Sequence, residues 1–209
     1  MSERHARFVT DNTAPSSPPL VPELRLHLAG EVTPLWQATE ASMEREGLPP
    51  PYWAFAWPGG QAVARWVLDH PEEVRGRSVL DFASGSGLVA VACAFAGARR
   101  VLANEIDPFA VEAIRLNAAL NGVAGVGGAG GAGGVEIAAE DLIGRPLPDV
   151  DVILAGDVCY ERPMAERATA WFRELAHRGC TVVLGDPGRA YLPKDGLEPL
   201  ARYPVPTTL

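Results

Sequence analysis

From Arg75 onward, short apolar runs alternate with helical patterns, and this alternation constrains the fold more than any other feature of the chain. Runs at Ser78–Phe82, Arg100–Asn104, Val135–Ala139, Asp151–Ala155 and Cys180–Leu184 have the length and composition of buried strands. Helical stretches lie between them, at Leu88–Ala96, Pro108–Leu120 and Pro163–His177. Pro108 suits a first helical position and Asn121-Gly122 supplies a stop. Strand and helix in regular alternation build βαβ units, so the expected fold is a doubly wound α/β domain with a mainly parallel sheet.

A chain of 209 residues can bury one such core but not two side by side. Residues 1–21 include Thr13-Ala14-Pro15-Ser16-Ser17-Pro18-Pro19, which is polar and proline-rich, and they read as a mobile tail outside the domain. Residues 22–75 read as an extension with one or two short helices, in which Leu24–Leu28 also alternates like a strand. Pro49-Pro50-Pro51 forces an extended connection into the aromatic stretch Tyr52 to Trp57, which ends in a Pro58-Gly59-Gly60 turn. A helix through Ala62, Val63, Trp66, Val67 and Leu68 follows. Residues 76–209 form the main domain. Within it VAGVGGAGGAGG, 123–134, is a flexible loop, and with no Lys-Ser or Lys-Thr behind it this is no P-loop. A helix near Leu197–Ala201 and a short strand from Tyr203 to Leu209 are expected to close the chain.

Composition narrows the function classes. With 47% apolar and 21% charged residues the chain is of ordinary globular type. No apolar run approaches the roughly 20 residues of a spanning helix, and the N-terminus lacks a secretory apolar region, so the expected setting is the cytoplasm, away from membranes. A formal charge of −8 repels phosphate backbones and speaks against nucleic acid. Cys93, Cys159 and Cys180 are far apart and suggest reduced thiols. His5, His27, His70 and His177 show no ligand spacing, so no metal is expected.

The chemistry centres on Val79-Leu80-Asp81-Phe82-Ala83-Ser84-Gly85-Ser86-Gly87-Leu88, a strand, a turn of small residues and a helix start. Glycine at 85 and 87 lets a ligand press against the backbone, and amides at a helix start attract an anionic group. The segment also fits the dinucleotide fingerprint, with Glu105 at the distance of a ribose-binding acid. Asp81 separates the two readings. A pyrophosphate is repelled by an acid just before the glycine turn, whereas S-adenosylmethionine brings an ammonium that needs one. No separate catalytic domain for a dehydrogenase remains, which favours S-adenosylmethionine again.

The blocks PYWAFAWPGGQA at 51–62, VLDFASGSGLVAVA at 79–92, ANEIDPFAVEAIRLNAALNGV at 103–123, GDVCYE at 156–161 and GDPGRAYLP at 185–193 resemble seven-strand methyltransferases of the lysine-modifying group. The resemblance runs over Thr13 to Leu209 and is strongest to the electron-transfer-flavoprotein beta-subunit lysine methyltransferases and their bacterial homologues. It implies a class I, Rossmann-like domain that binds S-adenosylmethionine. It places Asp81, Ala83 and Gly85 around the methionine part of that cofactor, beside the turn that Gly87 closes, and Glu105 on the ribose hydroxyls. Asp141 with the Leu142 amide takes the adenine edge, and Trp57 packs beside the cofactor. Asp107 is read instead as the cap of the helix that begins at Pro108. Against that family, the chain ends where a seventh strand should turn back, so the last strand is expected to be missing.

Asp157 and Tyr160 match the family's D-x-x-Y motif and are the expected catalytic pair. Methyl transfer is a displacement at an activated carbon, so a site mainly has to align the acceptor. A lysine amine of pKa near 10.4 must also lose its proton, at a cost of about 4 to 5 kcal/mol near neutrality. Asp157 is therefore expected to capture and orient the amine, with Tyr160 bonding to it and walling the channel. Cys159 is assigned to packing. The implied partner is a protein lysine side chain, with a monomeric enzyme as the default. Two other functions stay open: a small-molecule N-methyltransferase acting on a heteroaromatic amine, and a non-catalytic binding module.

Overall fold

The computed structural model describes residues 2–30, 35, 49–123, 134–147 and 149–206. It opens with helix α1 (Ser2–Asn12), then strand β1 (Ala14–Ser16), which pairs antiparallel with β2 (Leu26–Leu28). The expectation of a mobile tail is thus corrected. Val9 and Val21 are fully buried, and Phe8 and His5 both pack on Phe109, with ring centroids 4.8 and 4.6 Å away. The proline-rich run at 13–19 averages away the signal of Phe8 and Val9, which find their apolar partners a hundred residues downstream. Most of the stretch where short helices were expected lies outside the described residues, as does the glycine run at 124–133. Leu26–Leu28 resolves as strand because Leu26 and Leu28 both turn inward.

A short 3-10 turn at Tyr52–Ala54 leads into helix α2 (Pro58–Asp69). Gly59 and Gly60 therefore lie in the first helical turn, not in a turn before it, with Pro58 at the position where a missing N–H costs nothing. Strands β3 (Ser78–Phe82), β4 (Arg100–Asn104), β5 (Val135–Ala138), β6 (Val152–Gly156) and β7 (Thr181–Gly185) alternate with helices α3 (Leu88–Phe95), α4 (Pro108–Leu120) and α5 (Arg162–His177). The five strands expected between Ser78 and Leu184 all form, the third a residue shorter and the last two shifted by a residue. All neighbours in the central sheet are parallel, and its order is β5-β4-β3-β6-β7. The order reverses between β3 and β6, and in open α/β sheets ligands lie at that switch point.

Alternation along the strands separates two cores. Val79, Val152, Leu154 and Val183 face α2, α3 and α4, whereas Leu80, Phe82, Ile153 and Ala155 face α5. Phe82 meets Trp171 and Phe172 edge-on at 5.5 and 5.3 Å. Burying aromatic side chains of this size contributes about 1.5–3 kcal/mol each. Register aligns the strand ends: Asp81 lies level with Ala103 and Leu154, so the turns after β3, β4 and β6 emerge at one edge.

The chain after β7 departs from expectation. Residues 186–206 form neither the helix near Leu197–Ala201 nor a strand at Tyr203–Pro206, and 207–209 lie outside the described residues. Arg173 of α5 donates to the Asp195 carbonyl (3.1 Å) and the Tyr203 hydroxyl to Asp69 of α2 (3.3 Å). Side-chain contacts to helices on both faces of the sheet thus take the place of a ladder. Pro193, Pro204 and Pro206 cannot donate to one.

Candidate active site

After β3 the backbone winds through left-handed conformations at Ala83 (φ 52), Gly85 (φ 55) and Gly87 (φ 81), and Gly87 opens α3. A Cβ at Gly87 would stand 3.2 Å from the Ile114 side chain, which would have to give by a few tenths of an ångström, so glycine eases the packing of α3 on α4. Asp81 is buried at the end of the strand, and its Oδ2 accepts from the Ser84 hydroxyl and from the Ala90 amide at 2.9 Å. Burial dominates these bonds and pushes its carboxyl up to about 7.

Glu105 follows β4. Its Oε2 accepts from the Gly85 amide (3.0 Å), and its Oε1 from the amides of Ile106 (2.7 Å) and Asp107 (3.1 Å). Burial again raises its pKa, against the pull of those amides. Two amides of the loop and helix start, those of Gly85 and Ala90, are thus held by Glu105 and Asp81. A carboxylate has about four lone-pair sites, so Glu105 keeps room for a hydroxyl beside its three backbone donors. Asp107 caps α4 as expected, accepting from Phe109 at 2.8 Å.

A second cluster stands across the switch point. Asp157 directly follows β6, buried and at φ 61, and its amide donates to the Gly185 carbonyl (2.8 Å). The first turn of α2 is pressed onto the ends of β6 and β7. A Cβ on Gly59 would clash with the Gly185 carbonyl, and one on Gly156 would stand 2.6 Å from the Gly60 backbone. This contact explains the glycines of the Trp-Pro-Gly-Gly segment, and it brings the Gly60 amide within 2.8 Å of Asp157 Oδ2. The helix N-terminus thereby favours the carboxylate, although burial still holds its pKa above the ordinary value.

The other oxygen, Asp157 Oδ1, accepts from Arg189 Nη2 at 2.7 Å, and the guanidinium lies 5.9 Å from the centre of the Trp57 ring. Trp57 donates from Nε1 to the Tyr52 carbonyl (2.7 Å). The Tyr52 ring lies 6.0 Å from Trp57 and 5.6 Å from Tyr160. Tyr52 and Tyr160 are 49% and 46% exposed and form an open aromatic rim. Burial raises the Tyr160 pKa, so its hydroxyl stays protonated and able to donate. Burial also lifts the Cys159 thiol to about 11, which suits packing and not nucleophilic chemistry.

The expected adenine pair stands in the turn after β5. Asp141 is exposed and already engaged, with Oδ1 accepting from the Ile143 amide (3.0 Å) and Oδ2 from Arg167 (2.9 Å). Leu142 is buried in the α5-side core. Three further residues were not picked out from the sequence. Asn104 donates to the carbonyls of Ala138 (2.9 Å) and Glu140 (2.8 Å), tying the end of β4 to the turn after β5. Ile106 stands 68% exposed beside Glu105, an apolar surface next to a polar anchor. Arg189 lies within GDPGRAYLP at 185–193, where nothing in the sequence distinguishes it from a surface arginine.

The chain is similar to known methyltransferases. The family model for ribosomal protein L11 methyltransferase (PrmA) matches residues 66–153. The electron transfer flavoprotein beta subunit lysine methyltransferase of Xenopus laevis is 40% identical over 201 residues, 94% of this chain and 77% of the relative. That of Danio rerio is 36% identical over 208 residues, 97% of this chain and 76% of the relative. Among solved structures, a ribosomal protein L11 methylase from Lactobacillus delbrueckii subsp. bulgaricus aligns with a TM-score of 0.46 and 24% identity, over 61% of this chain and 60% of that one. With such identity sustained across nearly its whole length, the chain belongs to the electron transfer flavoprotein beta subunit lysine methyltransferase family and is an S-adenosylmethionine-dependent methyltransferase.

Proposed function

We propose that this methyltransferase modifies lysine side chains of a protein, and that the acceptor amine enters through the aromatic rim to Asp157. The observation that carries this reading is a buried carboxylate at the switch point, under a rim of Tyr52, Trp57 and Tyr160 that opens to solvent. Carboxylate and aromatic faces together suit an ammonium. The exposure of Tyr52 and Tyr160 favours a chain-borne amine over a small heteroaromatic one, which a closed pocket would suit better.

The residues present fit the cofactor. Asp81 is a buried carboxylate without a cation partner among the described residues, and an ammonium beside it would offset the burial that holds its pKa near 7. Ala83, Gly85 and Gly87 bare the backbone, Glu105 offers its remaining lone pairs to hydroxyls, and Ile106 presents an apolar face. The Leu142 amide remains the proposed contact for the adenine edge, with Asp141 shaping that turn. Bound S-adenosylmethionine supplies a methyl group already activated on a sulfonium. What the protein adds is alignment. Asp157 orients the amine, Tyr160 donates or accepts at its nitrogen, and Trp57 limits its sideways movement. Since a carboxylate partner favours the ammonium, the proton leaves to solvent at the open rim, and rate should rise with pH.

Labelled cofactor incubated with a cell lysate and with purified electron transfer flavoprotein beta subunit tests the reading. A few labelled protein bands are expected, and label confined to small molecules would sink it. The cytoplasm is proposed as the setting because the three thiols, Cys93, Cys159 and Cys180, are free, and cell fractionation checks it.

A further inference from the structure

Arg189 stands in none of these roles, yet it occupies the place where the acceptor amine is needed. Of the two Asp157 oxygens, Oδ2 is committed to the Gly60 amide and Oδ1 to Arg189 Nη2, at 2.8 and 2.7 Å. The same guanidinium covers the Trp57 ring. An ammonium that binds Asp157 over the Trp57 ring competes with Arg189 for the same charge, the same oxygen face at Oδ1 and the same aromatic surface.

The arginine has somewhere else to go. Asp186 has a side chain only 4% exposed, and its Oδ1 is pinned by the amides of Gly188 (2.7 Å) and Arg189 (2.6 Å). Its Oδ2 is buried without a hydrogen-bond partner, and so is Arg189 Nε; the two are 3.9 Å apart. Buried polar atoms of opposite charge that stop short of a hydrogen bond mark a position that a shift of about 1 Å would satisfy. The charge count agrees: Asp157 and Asp186 share one resident cation, and a second cation would balance the cluster.

We propose that Arg189 is a displaceable surrogate for the substrate ammonium, seated on Asp157 over Trp57 until a lysine amine arrives and then received by Asp186, with Nε donating to Oδ2. The proposal rests on the reading of Asp157 as the amine's seat. Arg189 is on this account a positioning and selecting residue. It keeps dilute cations out of the channel; a free alkylammonium displaces it only at high concentration, and a side chain delivered by a larger docking surface displaces it readily. No bond forms or breaks in the exchange.

The test is binding of n-butylammonium, a lysine side chain without its backbone, to the full chain, followed by the indole NMR signal of Trp57. Removing the surrogate with Arg189→Met, which keeps an apolar stem over Trp57, should tighten binding about tenfold, because the competitor is gone. Asp186→Asn keeps an oxygen for the two amides and loses the acceptor for Nε. It should weaken binding severalfold when Arg189 is present and have no effect beside Arg189→Met. Equal affinity in wild type and Arg189→Met, binding in neither, or an Asp186→Asn effect that is the same in both backgrounds would each overturn the exchange. Should Arg189→Met not fold, the Arg189 Nε–H resonance of the wild type carries the test: saturating n-butylammonium must move it downfield, and a stationary signal overturns the proposal. Absence of protein labelling by the wild type would defeat the lysine reading itself. Labelled protein together with unchanged n-butylammonium affinity in Arg189→Met defeats only the exchange.

Discussion

At the end of β3 the chain passes through Ala83 at φ 52, and just past the end of β6 through Asp157 at φ 61, in each case a residue with a Cβ in the left-handed region. At both places a buried carboxylate accepts from an amide in the first turn of a helix, Asp81 from Ala90 of α3 and Asp157 from Gly60 of α2. The difference lies in the cation. Asp157 has Arg189 at 2.7 Å, whereas among the described residues Asp81 has the Ser84 hydroxyl and the Ala90 amide and no cation, and its pKa stands near 7. Two acids with the same backbone support are thus prepared for different events. One meets a cation that the ligand must bring, and the other already holds one that the ligand must replace.

The largest expected effect breaks the comparison on the β6 side. Asp157→Asn keeps the shape of the side chain and tolerates φ 61, but loses the charge that orients an amine. Methylation of a protein substrate should fall by about a hundred- to a thousandfold, while cofactor affinity stays within a few fold. Parallel cofactor titration and single-turnover assays decide it. If affinity and rate fall together, Asp157 belongs to the cofactor site and the two acids are not functionally distinct.

On the β3 side the counterpart is Glu105. Glu105→Ala removes the acceptor for ribose hydroxyls and leaves the amides of Gly85, Ile106 and Asp107 without their carboxylate. A loss of about 2–3 kcal/mol corresponds to thirty- to a hundredfold weaker cofactor binding, measured by calorimetry. Methyl transfer at saturating cofactor should recover most of its rate. Unchanged affinity in a folded variant would remove Glu105 from the site.

The two sides were not equally legible in the sequence. The glycine turn, Asp81 and Glu105 lie within a single βαβ unit, where strand and helix patterns and their spacing reveal the geometry. The environment of Asp157 is assembled from Gly60, 97 residues earlier, and Arg189, 32 residues later, and no local pattern records either contact. Asp157 could be recognised as a chemical residue by its motif, but not as one already paired. The same limit hid α1. Phe8 and Val9 pack only because Phe109 and Trp53 are brought to them by the tertiary fold. Past Gly185 the pattern of apolar residues at Leu197 and Leu200 suggested helix, yet both are exposed. Without a face to bury, periodicity does not hold a helix together.

Between pH 5 and 8 the difference between the two acids should be measurable as a proton. Burial raises Asp81 from an ordinary 3.8 to about 7, so between those values the folded chain keeps a proton that the unfolded chain has lost. Stability from this group therefore falls as pH rises through that window and is level above it. An ammonium needs the ionised form, so cofactor binding below pH 7 must expel the proton, and apparent affinity should drop about tenfold per pH unit there. Calorimetry in buffers of different ionisation heat should detect close to one proton released near pH 6. Asp81→Asn should abolish that release and flatten the profile. A profile that stays steep in the variant would place the titrating group elsewhere.

The smallest effect concerns the backbone that the two turns share. Aspartate reaches the left-handed region with less strain than alanine, because its short polar side chain can bond locally, so φ 61 at Asp157 costs less than φ 52 at Ala83. Ala83→Gly removes a strain of roughly 1–2 kcal/mol, and the added freedom of glycine in the unfolded chain gives back about 0.5–1 kcal/mol. The net gain is then between zero and about 1.5 kcal/mol, or a rise in Tm of at most a few degrees for a chain of this size. Since Ala83 lends its backbone and no side-chain polar group, cofactor affinity should change little. Thermal unfolding with and without S-adenosylmethionine separates the contributions. A gain in both conditions assigns the strain to the fold. A gain lost on adding cofactor means that the alanine Cβ, and not only its backbone, is part of the surface the cofactor rests on, and Ala83 would then be a contact residue in its own right.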